Sequence, residues 1–148
     1  MNKLVLITSS SLRHLYFAKT INDFFKNSIV KIYIESTDDI NYRYVQENKN
    51  GIINNHFNQR HNSEVDFFSG SEVILKKRDI VRTIQKGAIN DQNIISEIEK
   101  IKPDLILTYG CSIIRKPLIE LFKRRIINVH LGLSPYYLGA GTNFHALL

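Results

Sequence analysis

Asn128 and His130 stand two apart at the end of an apolar run formed by Ile126, Ile127 and Val129. In an extended strand such spacing sends both side chains to one face. An asparagine amide can donate a hydrogen bond to a developing oxyanion. An imidazole moves a proton near neutral pH. Together they suit acyl chemistry, and the loop that follows, with Gly132, Gly139 and Gly141, lets the backbone pass close to reacting atoms. The competing reading is a buried Asn–His pair satisfied by backbone hydrogen bonds. A second candidate place is the loop Tyr109, Gly110, Cys111, Ser112, Ile113 and Ile114, which also follows an apolar run directly.

Other chemistry-bearing residues read more plainly. Cys111 follows a strand-ending glycine, a position open to a nucleophile, but no histidine is near it in sequence. It reads as a small buried thiol, and a lone cysteine builds neither an intrachain disulfide nor a zinc site. His56 and His61 are five apart, a spacing that shares no helix face, so no metal is expected. His14 falls in a first helical turn, where it could touch an anion but reads as a packing or surface residue. Tyr136 and Tyr137 would either stack on a substrate ring or pack their loop. The run Thr8, Ser9, Ser10 and Ser11 could meet a phosphate at a helix start, yet it lacks the glycines of a dinucleotide or phosphate-loop fingerprint.

These residues need a scaffold. The chain has 148 residues, 43% apolar and 23% charged. One ordinary domain is expected, and the apolar content excludes a disordered tail. No apolar run is long enough to span a bilayer. Leu4, Val5, Leu6 and Ile7 make a run of four, too short for a signal-peptide core, so a cytoplasmic protein is the expectation. Twenty basic residues against fourteen acidic ones give a net charge of +6, which permits an anionic partner without selecting one. Two basic clusters, Lys76, Lys77 and Arg78 with Arg82, and Lys123, Arg124 and Arg125, lack interleaved aromatics. Both read as solvated faces, and no nucleic-acid partner is expected.

Residues 3–8 read as a buried strand, 12–26 as an amphipathic helix and 29–34 as a second strand. The polar, asparagine-rich stretch from 36 to 90 is weakly periodic. A helix over 56–70, carrying Phe57, Val65 and Phe68, and a short strand over 73–75 are its readings. Asn90 and Asp91 precede a helix whose stripe is Ile94, Ile95, Ile98 and Ile101, stopped by Pro103. Residues 104–109 form a strand ended by Gly110, Pro117 opens a helix, 126–130 form the next strand, and 131–143 a loop. Strands alternating with helices predict an α/β, Rossmann-like three-layer domain with a largely parallel sheet. Ligands then collect at the carboxyl ends of the strands, where both candidate places lie.

Asn128 and His130, followed by Pro135 and Gly139, resemble the active-site segment of the formyltransferase family. That signature runs roughly Asn-x-His-x-Ser-x-Leu-Pro, then three residues and Gly. The chain departs from it at Gly132, where the family usually has Ser, and at Ser134, where it usually has Leu. Residues 102–110 with Ile113 and Ile114 also resemble the family's strand and folate-facing loop. The resemblance is strongest over 88–148, within a domain taken to cover 1–148.

The resemblance implies transfer of a formyl group from N10-formyltetrahydrofolate to a primary amine, with no metal. It implies that Asn128 hydrogen-bonds the oxyanion and that His130 stabilises it and takes part in proton transfer. Tyr109, Gly110, Cys111, Ser112, Ile113 and Ile114 would hold the pterin, partly through backbone groups. Pro135, Gly139 and Gly141 would form the substrate loop. The family's third catalytic residue, an aspartate further along the chain, has no counterpart before Leu148. The chain therefore reads as the amino-terminal part of a formyltransferase domain, truncated, with weak or no turnover alone. A nucleotide-linked amino sugar is the expected acceptor. Methionyl-tRNA, and a non-catalytic folate- or nucleotide-binding remnant, are the alternatives. A basic α/β module with a structural Asn-x-His is the reading from another class. A homodimer is carried as an option that the residues do not decide.

Overall fold

A computed structural model describes residues 2–36, 51–70 and 79–130. Five strands form one sheet: β1 (Leu4–Ser9), β2 (Ile29–Ser36), β3 (Val81–Gln85), β4 (Leu105–Tyr109) and β5 (Ile126–Val129). Their order is β3-β2-β1-β4-β5, and every neighbouring pair is parallel. The helices are α1 (Leu12–Phe24), α2 (Gly51–Phe68), α3 (Gln92–Ile101) and α4 (Lys116–Leu121), with a 3-10 turn at Ala88–Asn90. This is the α/β, Rossmann-like arrangement that alternating strands and helices predict.

β1 is buried along its whole length, and its alternation makes the two cores. Val5 and Ile7 pack with Tyr33, Ile106 and the α3 stripe Ile94, Ile95 and Ile98, and with Leu118 and Phe122 at α4. Leu4 and Leu6 pack on the other face with Ile29, Ile32 and Ile34 and with Leu15 and Ala18 of α1. A parallel sheet covered on both faces needs such continuous apolar strands.

Several expectations shift. The second helix starts at Gly51 rather than 56. It is held against α1 by the Tyr16 and Phe68 rings, 5.2 Å apart, and by an ion pair of Arg13 with Glu64 at 3.3 Å. The expected strand over 73–75 lies outside the described residues. The third strand lies at Val81–Gln85, a segment not expected to be extended. It is an edge strand whose only buried side chain is Ile84, so it carries little periodic signal. Asp91 caps α3 by position, but its side chain makes no capping bond. Lys102 ends α3 in the left-handed region, at φ 53°, one residue before Pro103.

Candidate active site

β4 and β5 run side by side with Thr108 opposite Asn128. Thr108 shares the face of Ile106, and Asn128 that of Ile126, so both look toward the α3 and α4 side. Thr108 is buried and its hydroxyl donates to Asn128 Oδ1 at 2.9 Å. A cleft of about 490 Å3 follows this side of the two strands. Thr108, Ile126 and Asn128 line it along the strands, the loop Cys111, Ser112, Ile113 and Ile114 lines it beyond the end of β4, and Ile119, Phe122, Lys123 and Arg124 line it from α4 to the start of β5.

Asn128 and His130 are both exposed, which corrects the reading of a buried pair. Asn128 lines the cleft, while His130 lies one residue past the end of β5 and is not among the lining residues. Pro135, Gly139, Gly141, Tyr136 and Tyr137 lie outside the described residues.

The 110–115 loop is fastened from beneath by two side chains. Glu35, 1% exposed at the end of β2, accepts from the Ser112 N–H at 2.6 Å and from the Gly87 N–H at 3.0 Å. Asn90 Oδ1 accepts from the Arg115 N–H at 2.8 Å, and its Nδ2 donates to the Ile113 carbonyl at 3.0 Å. The Ser112 and Arg115 N–H groups and the Ile113 carbonyl are thus committed to these side chains. Ile113 turns its side chain outward, 87% exposed.

An open sheet of this order has its topological switch between β1 and β4, where ligands commonly settle. Here that crevice holds the His14 ring. It stacks edge-on against Tyr109, with centroids 4.6 Å apart, and touches Gly110. Arg13 Nε donates to His14 Nε2 at 3.3 Å, so Nε2 is the unprotonated nitrogen. Nδ1–H then donates to Ser9 Oγ at 2.6 Å. Burial, then the charges of Arg13 and Arg60, lowers the His14 pKa to about 4. A histidine that donates to a serine cannot take its proton, so Ser9 and His14 form a packing pair and not a nucleophilic dyad.

The Cys111 thiol is pushed up to about 11, first by burial and then by the Glu35 charge, so it is no nucleophile at neutral pH. Among the described residues no group of three or more His, Cys, Asp or Glu could hold a metal ion, and no helix is long and apolar enough to cross a membrane. Lys123, Arg124 and Arg125 are all exposed, in keeping with a solvated face, and the structure adds contacts to it. Lys123 and Arg124 line the cleft. Arg125 donates to the Pro103 and Leu121 carbonyls and lies over the Phe122 ring. Arg82 pairs with Glu97, which also holds Lys31. Lys76, Lys77 and Arg78 lie outside the described residues.

A family model described as Formyl transferase matches residues 3–148. The chain belongs to the formyl transferase family. Among curated formyl transferases it is similar to the methionyl-tRNA formyltransferase of Alkaliphilus oremlandii (strain OhILAs), 44% identical over 63 residues. That match covers 41% of this chain and 20% of the relative. The methionyl-tRNA formyltransferase of Finegoldia magna is 34% identical over 83 residues, 53% of this chain and 26% of that protein. The chain therefore spans well under two thirds of these relatives. Glycinamide ribonucleotide transformylase 1 from Geobacillus kaustophilus superposes with a TM-score of 0.55 at 13% identity, over 99% of this chain and 67% of that one. Phosphoribosylglycinamide formyltransferase from Anaplasma phagocytophilum gives 0.53 at 13% identity, over 99% and 58%. These two likenesses concern the fold.

Within this formyl transferase fold, sequence reasoning missed Thr108, Glu35, Lys123 and Arg124 as site residues. Glu35 carried one faint signal: an acidic residue at the carboxyl end of a strand of β-branched residues, where an uncompensated charge is costly.

Proposed function

We propose that this chain is the amino-terminal part of a domain that moves a formyl group from N10-formyltetrahydrofolate to a primary amine. The observation that carries the reading is Asn128. Its carboxamide stands at a strand end in a cleft, with its oxygen already bonded to Thr108 and its N–H groups left to donate. Attack of the amine on the formyl carbon generates a tetrahedral oxyanion, the species such a donor stabilises. His130, exposed two residues on, serves the proton transfer. The cleft suits the donor's chemistry: Ile114, Ile119 and Phe122 offer apolar walls for a flat ring, and Lys123 and Arg124 offer cations for an acidic tail. Pro135, Gly139 and Gly141 are proposed to form the acceptor side, and the aspartate expected of the family would come from further along a longer chain.

The acceptor we favour is an amino sugar carried on a nucleotide, with the chain acting in the cytoplasm, alone or as a homodimer. Methionyl-tRNA is the second reading, favoured by the names of the curated relatives. Calorimetric titration with 5-formyltetrahydrofolate tests the donor site, and saturable 1:1 binding is expected. No heat at millimolar ligand overturns the proposal. In a protein extended through the rest of the reading frame, formylation of a nucleotide-linked amino sugar but not of methionyl-tRNA supports the preferred acceptor. The reverse result moves the assignment to tRNA.

A further inference from the structure

We propose that Thr108 is a positioning residue which fixes the direction of the Asn128 carboxamide, so that its N–H groups and not its oxygen face the cleft. Thr108 and Asn128 are register partners on adjacent parallel strands, and the Thr108 hydroxyl donates to Asn128 Oδ1 at 2.9 Å. An amide has an acceptor end and a donor end, and the two present opposite polarity to a bound carbonyl. Only the donor end stabilises an oxyanion, so a flipped Asn128 would be a wrong group in the right place.

The direction follows from which amide atom meets the hydroxyl. Oδ1, and not Nδ2, lies against Thr108 Oγ1, an amide oxygen can only accept, and the hydroxyl therefore donates. Thr108 itself is held still. It is 2% exposed, on a strand paired on both sides, and threonine has restricted χ1 freedom. A rigid support for a rotatable catalytic group is the arrangement that keeps preorganised donors effective.

The catalytic consequence rests on the formyl-transfer reading, but the positioning itself has a readout that needs no turnover. In a 15N-labelled chain, the Asn128 side-chain NH2 pair is assigned by its loss in Asn128→Asp. In Thr108→Val, which keeps shape and removes the hydroxyl, that pair is expected to shift and its order parameter to fall to values typical of a mobile side chain. Thr108→Ser is expected to keep both near wild type. Thr108→Ala repeats the hydroxyl deletion should valine perturb the backbone resonances of β4 and β5. An unchanged Asn128 signal in a folded hydroxyl-less variant overturns the proposal.

In a turnover-competent longer chain, Thr108→Val is expected to lower kcat about tenfold or more at unchanged KM for the formyl donor, with Thr108→Ser restoring it. Unchanged kcat with intact folate binding also overturns the proposal. Failure of folate to bind the wild-type chain defeats the formyl-transfer reading and leaves the NH2 signal as the arbiter of what Thr108 does.

Discussion

A Cβ placed on Gly110 would lie 2.1 Å from Cε1 of His14. Gly110 also sits at φ +66°, a region that side chains with a Cβ avoid. Helix α1 and the loop after β4 are therefore fitted together through the absence of one methyl group. Gly110→Ala is expected to cost about 3 kcal/mol or more by combining strain with overlap, read from urea unfolding. The double variant Gly110→Ala with His14→Ala should recover the overlap part of that loss. Strict additivity of the two single changes would remove His14 as the cause.

His14 gives the fold a pH dependence of known sign. Unfolded, its pKa is near 6.5, and in the fold it is lowered to about 4 by burial, Arg13 and Arg60. Between those values the unfolded chain binds a proton that the folded chain refuses, so stability rises with pH. The contribution is complete above about pH 6.5, shrinks as the pH falls, and is gone below about pH 4. Its size is about 3 kcal/mol. Urea unfolding from pH 4 to 7 should show this slope in the wild type and a flatter one in His14→Gln. Equal slopes in the two proteins would place the proton elsewhere.

Glu35 joins segments far apart in sequence through the Gly87 and Ser112 N–H groups. Truncation to alanine leaves two part-buried donors without their acceptor, an expected loss of about 2 kcal/mol. Glu35→Gln is no substitute. It brings one oxygen and one N–H to face two N–H groups, and is expected to destabilise nearly as much. Amide hydrogen exchange at Gly87 and Ser112 should accelerate in both variants. Unaltered protection at Ser112 would contradict the clamp.

Asn128→Ala in a turnover-competent longer chain is expected to lower kcat by about 10²–10³. His130→Ala is expected to lower it by about 10²–10⁴. His130 is exposed, so thermal unfolding of His130→Ala should be nearly unchanged, whereas Asn128→Ala leaves the buried Thr108 hydroxyl without its acceptor and is expected to cost about 1–3 kcal/mol. Near-normal turnover in His130→Ala would end its role in proton transfer.

Much of the scaffold was legible because burial imposes period. Ile94, Ile95 and Ile98 fall on the buried face of α3, and the all-buried run of β1 is what a central parallel strand requires. Val81–Gln85 was illegible because an edge strand with one buried side chain imposes almost no pattern. The start of α2 at Gly51, among Asn54 and Asn55, runs against intrinsic propensity, which is why the sequence pattern placed it later. In the site, Asn128 is visible through its spacing and its family resemblance. Glu35 is not, because a buried carboxylate makes sense only beside partners 52 and 77 residues away. Thr108 escapes notice for a similar reason, since its role exists only across the strand pair.

Of the five strands β1 leaves the ribosome before the others, yet it lies in the middle of the sheet, between β2 and β4. Its β4 side is closed only when Leu105–Tyr109 arrives and Asp104 reaches back to the Lys3 amide at 2.7 Å. At ordinary translation speeds the nascent chain waits on the order of 5–20 seconds with that flank open. Chaperone cover during synthesis should therefore matter most for the interval before β4 emerges.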